Sequence, residues 1–125
     1  MAKQDLIFQE LSSRIINAAI KVHKTLGPGF LETIYERALC IELEKQGIAF
    51  ESQKEVEISY EGVAVGTHRI DLIVKDKVIV ELKAHKELED IHFAQVRSYL
   101  KATGLRLGLV LNFGKATLKI KRVVN

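Results

Sequence analysis

With 125 residues, 47% of them apolar and 28% charged, the chain is long enough for one hydrophobic core, and its composition is that of a folded globular protein rather than a disordered one. The single Cys40 excludes an internal disulfide, and no apolar run approaches the roughly 18 to 20 residues needed to span a bilayer. The net charge of +3 is unevenly spread: Ile91 to Asn125 holds seven Lys or Arg and no Asp or Glu, whereas Leu31 to Glu57 holds seven Glu against three Lys or Arg. A basic last third suits a polyanion such as nucleic acid, and it equally suits a solvated face. The amino end "MAKQDLIFQE" lacks the basic-then-apolar order of a secretory signal. A cytoplasmic protein with one domain over residues 1–125 and no membrane partner is the expectation.

In chain order, Leu11, Ile15, Ala18, Val22 and Leu26 recur at helical spacing and predict a first helix over about Leu6 to Leu26. Gly27 suits the position after a helix end, and Pro28 cannot continue the hydrogen-bond ladder. A second helix is expected over about Phe30 to Gln46, with Leu31, Ile34, Ala38 and Ile41 as its apolar stripe and Gly47 as its stop. The pattern then alternates around Val56, Ile58 and Tyr60, as in a strand with one wetter face. "HRIDLIV" and "VIVELKA" read as two strands joined by "KDK". "LEDIHFAQVRSYLKATG" reads as a helix with Phe93, Val96 and Leu100 inward and Gly104 as its stop. "RLGLVLNF" and "TLKIKRVV" close the chain as two more strands. Helix, helix, three strands, helix, two strands predicts an α/β (α+β) fold with a mixed sheet flanked by helices.

Within "IDLIVKDKVIVELKA" three charges interrupt an apolar run: Asp71, Glu81 and Lys83. Charged groups among buried residues need a partner, an ion or a task. If Lys75 to Lys77 form a three-residue loop, Ile73 faces Ile79, Asp71 faces Glu81 and Arg69 faces Lys83. Val74 with Val78, Leu72 with Val80 and Ile70 with Leu82 then share the other face. A two-residue loop would instead separate the two acids. Facing carboxylates about 5 Å apart repel by roughly 3 kcal/mol at an effective dielectric near 20. A hard divalent cation offsets that repulsion far better than Lys83 alone, since Mg²⁺ is commonly held by one or two carboxylates with waters and phosphate. An ordinary surface ion pair on an edge strand is the competing reading.

Other residues invite structural readings first. His23 near a helix carboxy end is favourable for the dipole, and His68, His85 and His92 lack ligand spacing on one helix. Cys40 sits among Ala38, Leu39 and Ile41, as a small buried hydrophobe would. The glycines form no phosphate-cradling motif.

Gly29, Glu32 and Tyr35 in "GFLETIY" follow the pattern Gly-x-x-Glu-x-x-Tyr. The stretch "AAIKVHKTLGPGFLETIYERALCIELEKQGI" resembles the small family named after that pattern, the GxxExxY proteins, a compact branch of the PD-(D/E)XK nuclease superfamily; the resemblance runs from about Ile15 to Val123. It implies a restriction-endonuclease-like core, here a sheet of about five strands flanked by about three helices. It also implies that Asp71 and Glu81 bind Mg²⁺ or Mn²⁺ together with the Leu82 backbone carbonyl. Lys83 completes Glu-x-Lys, and Glu32 matches the acid of an early helix that reaches the metal or its water. Gln95 and Tyr99 match a Gln-x-x-x-Tyr on the following helix, where positions four apart share a face. Ile70 stands where the superfamily name has proline.

The resulting expectation is metal-dependent hydrolysis of phosphodiester bonds in DNA. The catalytic set would be Glu32, Asp71, Glu81, Lys83, Gln95 and Tyr99. Arg97, Lys101, Lys115, Lys119 and Lys121 would track the nucleic-acid backbone. A homodimer would let such a core cover both strands. The alternative is a catalytically silent module of the same fold that binds nucleic acid or a protein.

Overall fold

The computed structural model describes residues 8–125. Along the chain run α1 (Gln9–Leu26), α2 (Glu32–Lys45), β1 (Phe50–Tyr60), β2 (Val63–Val74), β3 (Val78–Lys83), α3 (Asp90–Thr103), β4 (Leu107–Asn112) and β5 (Lys119–Val124). The start of the expected first helix, before Phe8, lies outside the described residues. The strands form one sheet in the order β1-β2-β3-β4-β5. β3 and β4 are parallel and every other pair is antiparallel. A parallel pair needs a crossover, and α3 supplies it.

Strand alternation sorts the apolar side chains into two layers. Val78, Val80 and Leu82 of β3 pack with Ile15 and Ala18 of α1 and Leu39 and Leu43 of α2. Ile79 and Val110 pack on the other face with Val96, Tyr99 and Leu100 of α3. The central strands are therefore apolar on both faces, as their sequence requires. Contact between α3 and β4 depends on Gly108, where a Cβ would stand 2.4 Å from Val96 Cγ1. Among the described residues no helix is long and apolar enough to cross a membrane.

Three sequence expectations are corrected. The buried stripe of α2 is Tyr35, Leu39 and Leu43. Of the expected stripe, Leu31, Ile34 and Ile41 point outward, 72%, 40% and 54% exposed, while Ala38 packs half-buried against the core. Both series have helical spacing, and the layer opposite α2 selects the one that carries the largest ring. In α3, Tyr99 joins Val96 and Leu100 inside, while Phe93 is only half-buried. Tyr60 is exposed rather than inward, because the β1–β2 hairpin runs past the rest of the sheet.

The Gly-x-x-Glu-x-x-Tyr stretch has a structural explanation. α1 stops at Gly27, and both Gly27 (φ 72°) and Gly29 (φ 110°) take backbone angles that disfavour L side chains. Tyr35 is fully buried and stacks on Phe113 at 4.5 Å. Its hydroxyl donates to the Gly27 carbonyl at 2.5 Å and accepts from the Phe30 N–H at 3.2 Å. One phenol thus ties the α1–α2 turn and sets Glu32 at the first position of α2. Tyr35→Phe keeps the ring and leaves that donor and acceptor unpaired, so we expect a loss of about 1–3 kcal/mol in chemical denaturation.

Candidate active site

The site lies where β2 and β3 part. Their ladder pairs Val74 with Val78, Ile73 with Ile79 and Leu72 with Val80, in the register that a three-residue loop demands, and it ends there. The expected backbone pairings of Asp71 with Glu81, Ile70 with Leu82 and Arg69 with Lys83 do not form. Side chains take over the lost ladder bonds. The Asp71 N–H donates to Glu81 Oε1 at 3.0 Å, and the Leu82 N–H donates to Asp71 Oδ2 at 3.0 Å. Alternation in β2 also breaks at this point: Ile70 packs with Ile73 on the α3 side, while Leu72 and Leu82 face the other layer. Arg69 turns away to Glu55 at 2.9 Å.

Both acids therefore meet, and their electrostatics are costly. Glu81 is 4% exposed. Burial, and next the charge of Asp71, pushes its carboxyl up to about 8. Lys83 Nζ donates to Gln95 Oε1 at 2.9 Å, which aims the ammonium along α3. Tyr99 is buried with its ring edge-on to His68 at 4.7 Å. Burial, with the charges of Glu81 and Asp71, pushes its hydroxyl up to about 12, so it remains a donor. Asp71, Glu81, Lys83, Gln95 and Tyr99 thus come together.

Glu32 does not join them directly: it makes no hydrogen bond or ion pair with the described residues. It opens α2 near His92, a ring lowered from its ordinary value by burial first, then by His85 and Lys83, with the charge of Glu32 acting in the opposite direction. The acid linked to Asp71 is Glu36, one turn further along α2. The Gln53 amide donates to Glu36 Oε1 at 2.8 Å and to Asp71 Oδ1 at 3.4 Å. Burial raises the Glu36 carboxyl, the Gln53 hydrogen bond opposes this, and the charge of Asp71 adds to it. Gln53 has a positive φ of 53°, a strained placement for a residue with a side chain, in the gap that the β1–β2 ladder leaves between its Ser52–Leu72 and Lys54–Ile70 pairs. The spacing of four from Glu32 to Glu36 was a usable signal for the second acid. Nothing in the sequence points to Gln53.

The exit of β3 is fastened by a buried amide. Asn112 Oδ1 accepts from the N–H groups of His85 and Gly114 at 3.0 and 3.1 Å, and its Nδ2 donates to the His85 carbonyl at 2.9 Å. The Phe113 N–H donates to the Lys83 carbonyl at 2.7 Å. A Cβ at Gly114 would stand 2.4 Å from the His85 carbonyl oxygen. This clamp sets the direction in which Lys83 leaves the sheet.

The basic residues do not form a single patch. Lys115 pairs with Glu87 at 2.9 Å. Lys121 lies over the Phe93 ring at 5.9 Å. Arg97 and Lys119 are exposed, and Lys101 lines a groove beside β1. His23 has a core role, bonded to the Lys115 carbonyl at 2.8 Å and stacked against Phe113. Burial pushes the Cys40 thiol up to about 11, so it stays protonated.

Among the described residues no three His, Cys, Asp or Glu side chains converge as a ready-made cluster. The donors that do meet are hard carboxylate oxygens. Lys83, two residues beyond Glu81, bonds Gln95 rather than either acid. Such a pair suits Mg²⁺ or Mn²⁺, which keep several waters, better than zinc, which takes four closed ligands.

Residues 9–123 match the PD-(D/E)XK nuclease superfamily. The fold is similar to the crystal structure of SSO0001, with a TM-score of 0.59 and 18% identity over 74% of this chain and 49% of that one. The chain thus spans about half the length of that protein. An alkaline exonuclease (LHK-Exo) from Laribacter hongkongensis aligns with a TM-score of 0.49 and 13% identity over 86% of this chain and 76% of that one. No curated protein matches.

The raised Glu81 carboxyl has a pH signature. Between its ordinary 4.5 and about 8 the folded chain holds a proton that the unfolded chain has lost. Stability is therefore fully favoured below about 4.5 and declines as pH rises through about 8. Glu81→Gln keeps an acceptor for the Asp71 N–H and removes the titration. Its denaturation midpoint is expected to exceed that of the wild type at pH 9, with the gap closing toward pH 5.

Proposed function

Because this chain belongs to the PD-(D/E)XK nuclease superfamily, we propose that it hydrolyses phosphodiester bonds in DNA with a divalent cation held at Asp71 and Glu81. Family membership supports nuclease activity in general, and the choice of DNA and of magnesium is our reading. We also assign the chain to the GxxExxY branch, on Gly29, Glu32 and Tyr35, and to the cytoplasm.

The observation that carries the proposal is the exchange of hydrogen bonds that brings Asp71 and Glu81 together at the parted strands, with Lys83 two residues on. A divalent cation, when bound, would supply Lewis-acid polarisation of the phosphoryl oxygen. Asp71 and Glu81 would provide the negative charge to hold it, with the Leu82 carbonyl as a neutral ligand. Lys83, steered by Gln95, orients the attacking water and stabilises the charge that builds on the phosphoryl oxygens. Tyr99 donates a hydrogen bond from the buried side. Glu36 and Gln53 hold Asp71 in place, and Glu32 orients groups at the opening of α2.

The silent-module reading keeps one observation of its own: two acids converge, and among the described residues no third ligand-type side chain completes a cluster. A cleavage screen over single-stranded, duplex and branched DNA and RNA with Mg²⁺ or Mn²⁺ separates the two readings. We expect Asp71→Ala and Lys83→Ala to lower the rate by about 10²-fold or more with folding intact. Glu36→Gln should cost about 10- to 100-fold, as outer partners of metal ligands do. Binding without cleavage under any metal establishes the module instead.

Metal addition offers a second check. Ligand binding stabilises the folded chain by mass action, and the acids bind only when ionised. The rise in Tm on adding Mg²⁺ should grow as pH climbs through about 8 and vanish in Asp71→Ala. A shift that persists in that variant places the metal elsewhere.

A further inference from the structure

The β1–β2 hairpin is much longer than the sheet requires. β1 pairs with β2 from Phe50–Val74 to Tyr60–Val63, yet β3 supports only the last three residues of β2. The remainder projects as an arm beside α3, and a groove runs between them. Its near compartment, of about 440 Å³, begins at the candidate active site and is lined by Lys83, Gln95, Ile91 and His92. Its far compartment, of about 480 Å³, is lined by Ile58 and Ser59 of the arm and by Lys101 and Ala102 of α3. His68 and Ser98 line both and meet each other at 3.4 Å, so the two compartments adjoin as one slot bridged at that contact.

We propose that this slot is the track for one unpaired strand of nucleic acid, entering at Lys101 and delivering its phosphodiester to Lys83 and Gln95. The inference rests on the nuclease reading above and adds the substrate form. Three features support it. Ammonium groups stand at both ends, where phosphates need them. Between them lie small or apolar residues and two flat imidazoles, against which bases of any sequence can pack. Each compartment also falls within the volume of pockets that enclose one small organic molecule, so each takes one nucleotide. With the hairpin on one side and α3 on the other, the groove suits a single strand, and the duplex arm of the test decides whether a base-paired partner is accepted. Glu57, at the far mouth, is the acid that repels the polyanion there.

The test compares binding of unpaired oligothymidine of about eight nucleotides, a length within the reach of one such platform, with a duplex of equal length. Fluorescence anisotropy is read on the full chain without added metal. The unpaired strand should bind about tenfold tighter or more. Ala102→Trp, which fills the far compartment from an exposed helix position, should weaken it by about tenfold and leave duplex binding unchanged, and Lys101→Glu should weaken strand binding by about tenfold. Glu57→Lys should strengthen it, and this pair of charge reversals carries the test if the tryptophan variant misfolds. Equal affinity for strand and duplex, or strand binding indifferent to all three changes, overturns the track. If metal-dependent cleavage of duplex persists in that case, the nuclease reading stands alone. If the wild type neither binds nor cuts any nucleic acid, both fall.

Discussion

The structure depends on two hydrogen bonds that replace a stretch of β ladder. Past Leu72 and Val80 the strands separate, and a buried N–H left unpaired would cost about 1–3 kcal/mol. Glu81 satisfies the Asp71 N–H, and Asp71 satisfies the Leu82 N–H. The two acids are thus structural acceptors before any chemistry is asked of them. Each has one oxygen committed to the backbone, which fixes the carboxylate plane, and the second Asp71 oxygen accepts from the Gln53 amide. Burial first, and then repulsion between them, is the cost of that order, visible in the proton that Glu81 retains up to about 8.

That cost marks the candidate site. Much of the chain obeys ordinary rules: the central strands are covered on both faces, α3 stops at a glycine with left-handed backbone, and Tyr35 spends its hydroxyl on a turn. Several departures meet at one place. A half-broken ladder, a strained Gln53 and a buried Glu81 all surround Asp71. Local departures from stability rules that cluster at one point mark where selection acts on something other than stability.

The sequence made the element order, the loop length and the meeting of Asp71 with Glu81 legible, because period-two apolar strands leave little freedom of register. The limits were tertiary. α2 carries two helical stripes, and only the opposing layer reveals that Tyr35, Leu39 and Leu43 face inward. The breakdown of pairing at Asp71 could not be read from alternation, since the residues on either side continue it. Glu36 falls one residue outside the Gly-x-x-Glu-x-x-Tyr pattern, although it shares a helical face with Glu32. Gln53 was hidden because its role comes from a backbone angle, not from its chemistry.

Lys83 shows how rigidity and reach are divided. Its backbone is fixed by the Phe113 N–H and, one step on, by the Asn112 clamp on His85, so the strand cannot pivot. Among the described residues its ammonium is held only by the neutral Gln95 amide. A neutral partner is weaker than a carboxylate, so the charge is aimed without being cancelled. Had Lys83 paired with Glu81, each would have neutralised the other, and neither would be available to an incoming phosphate or cation. Gln95 on α3 keeps them apart, and the same helix then forms one wall of the groove that leads away from them.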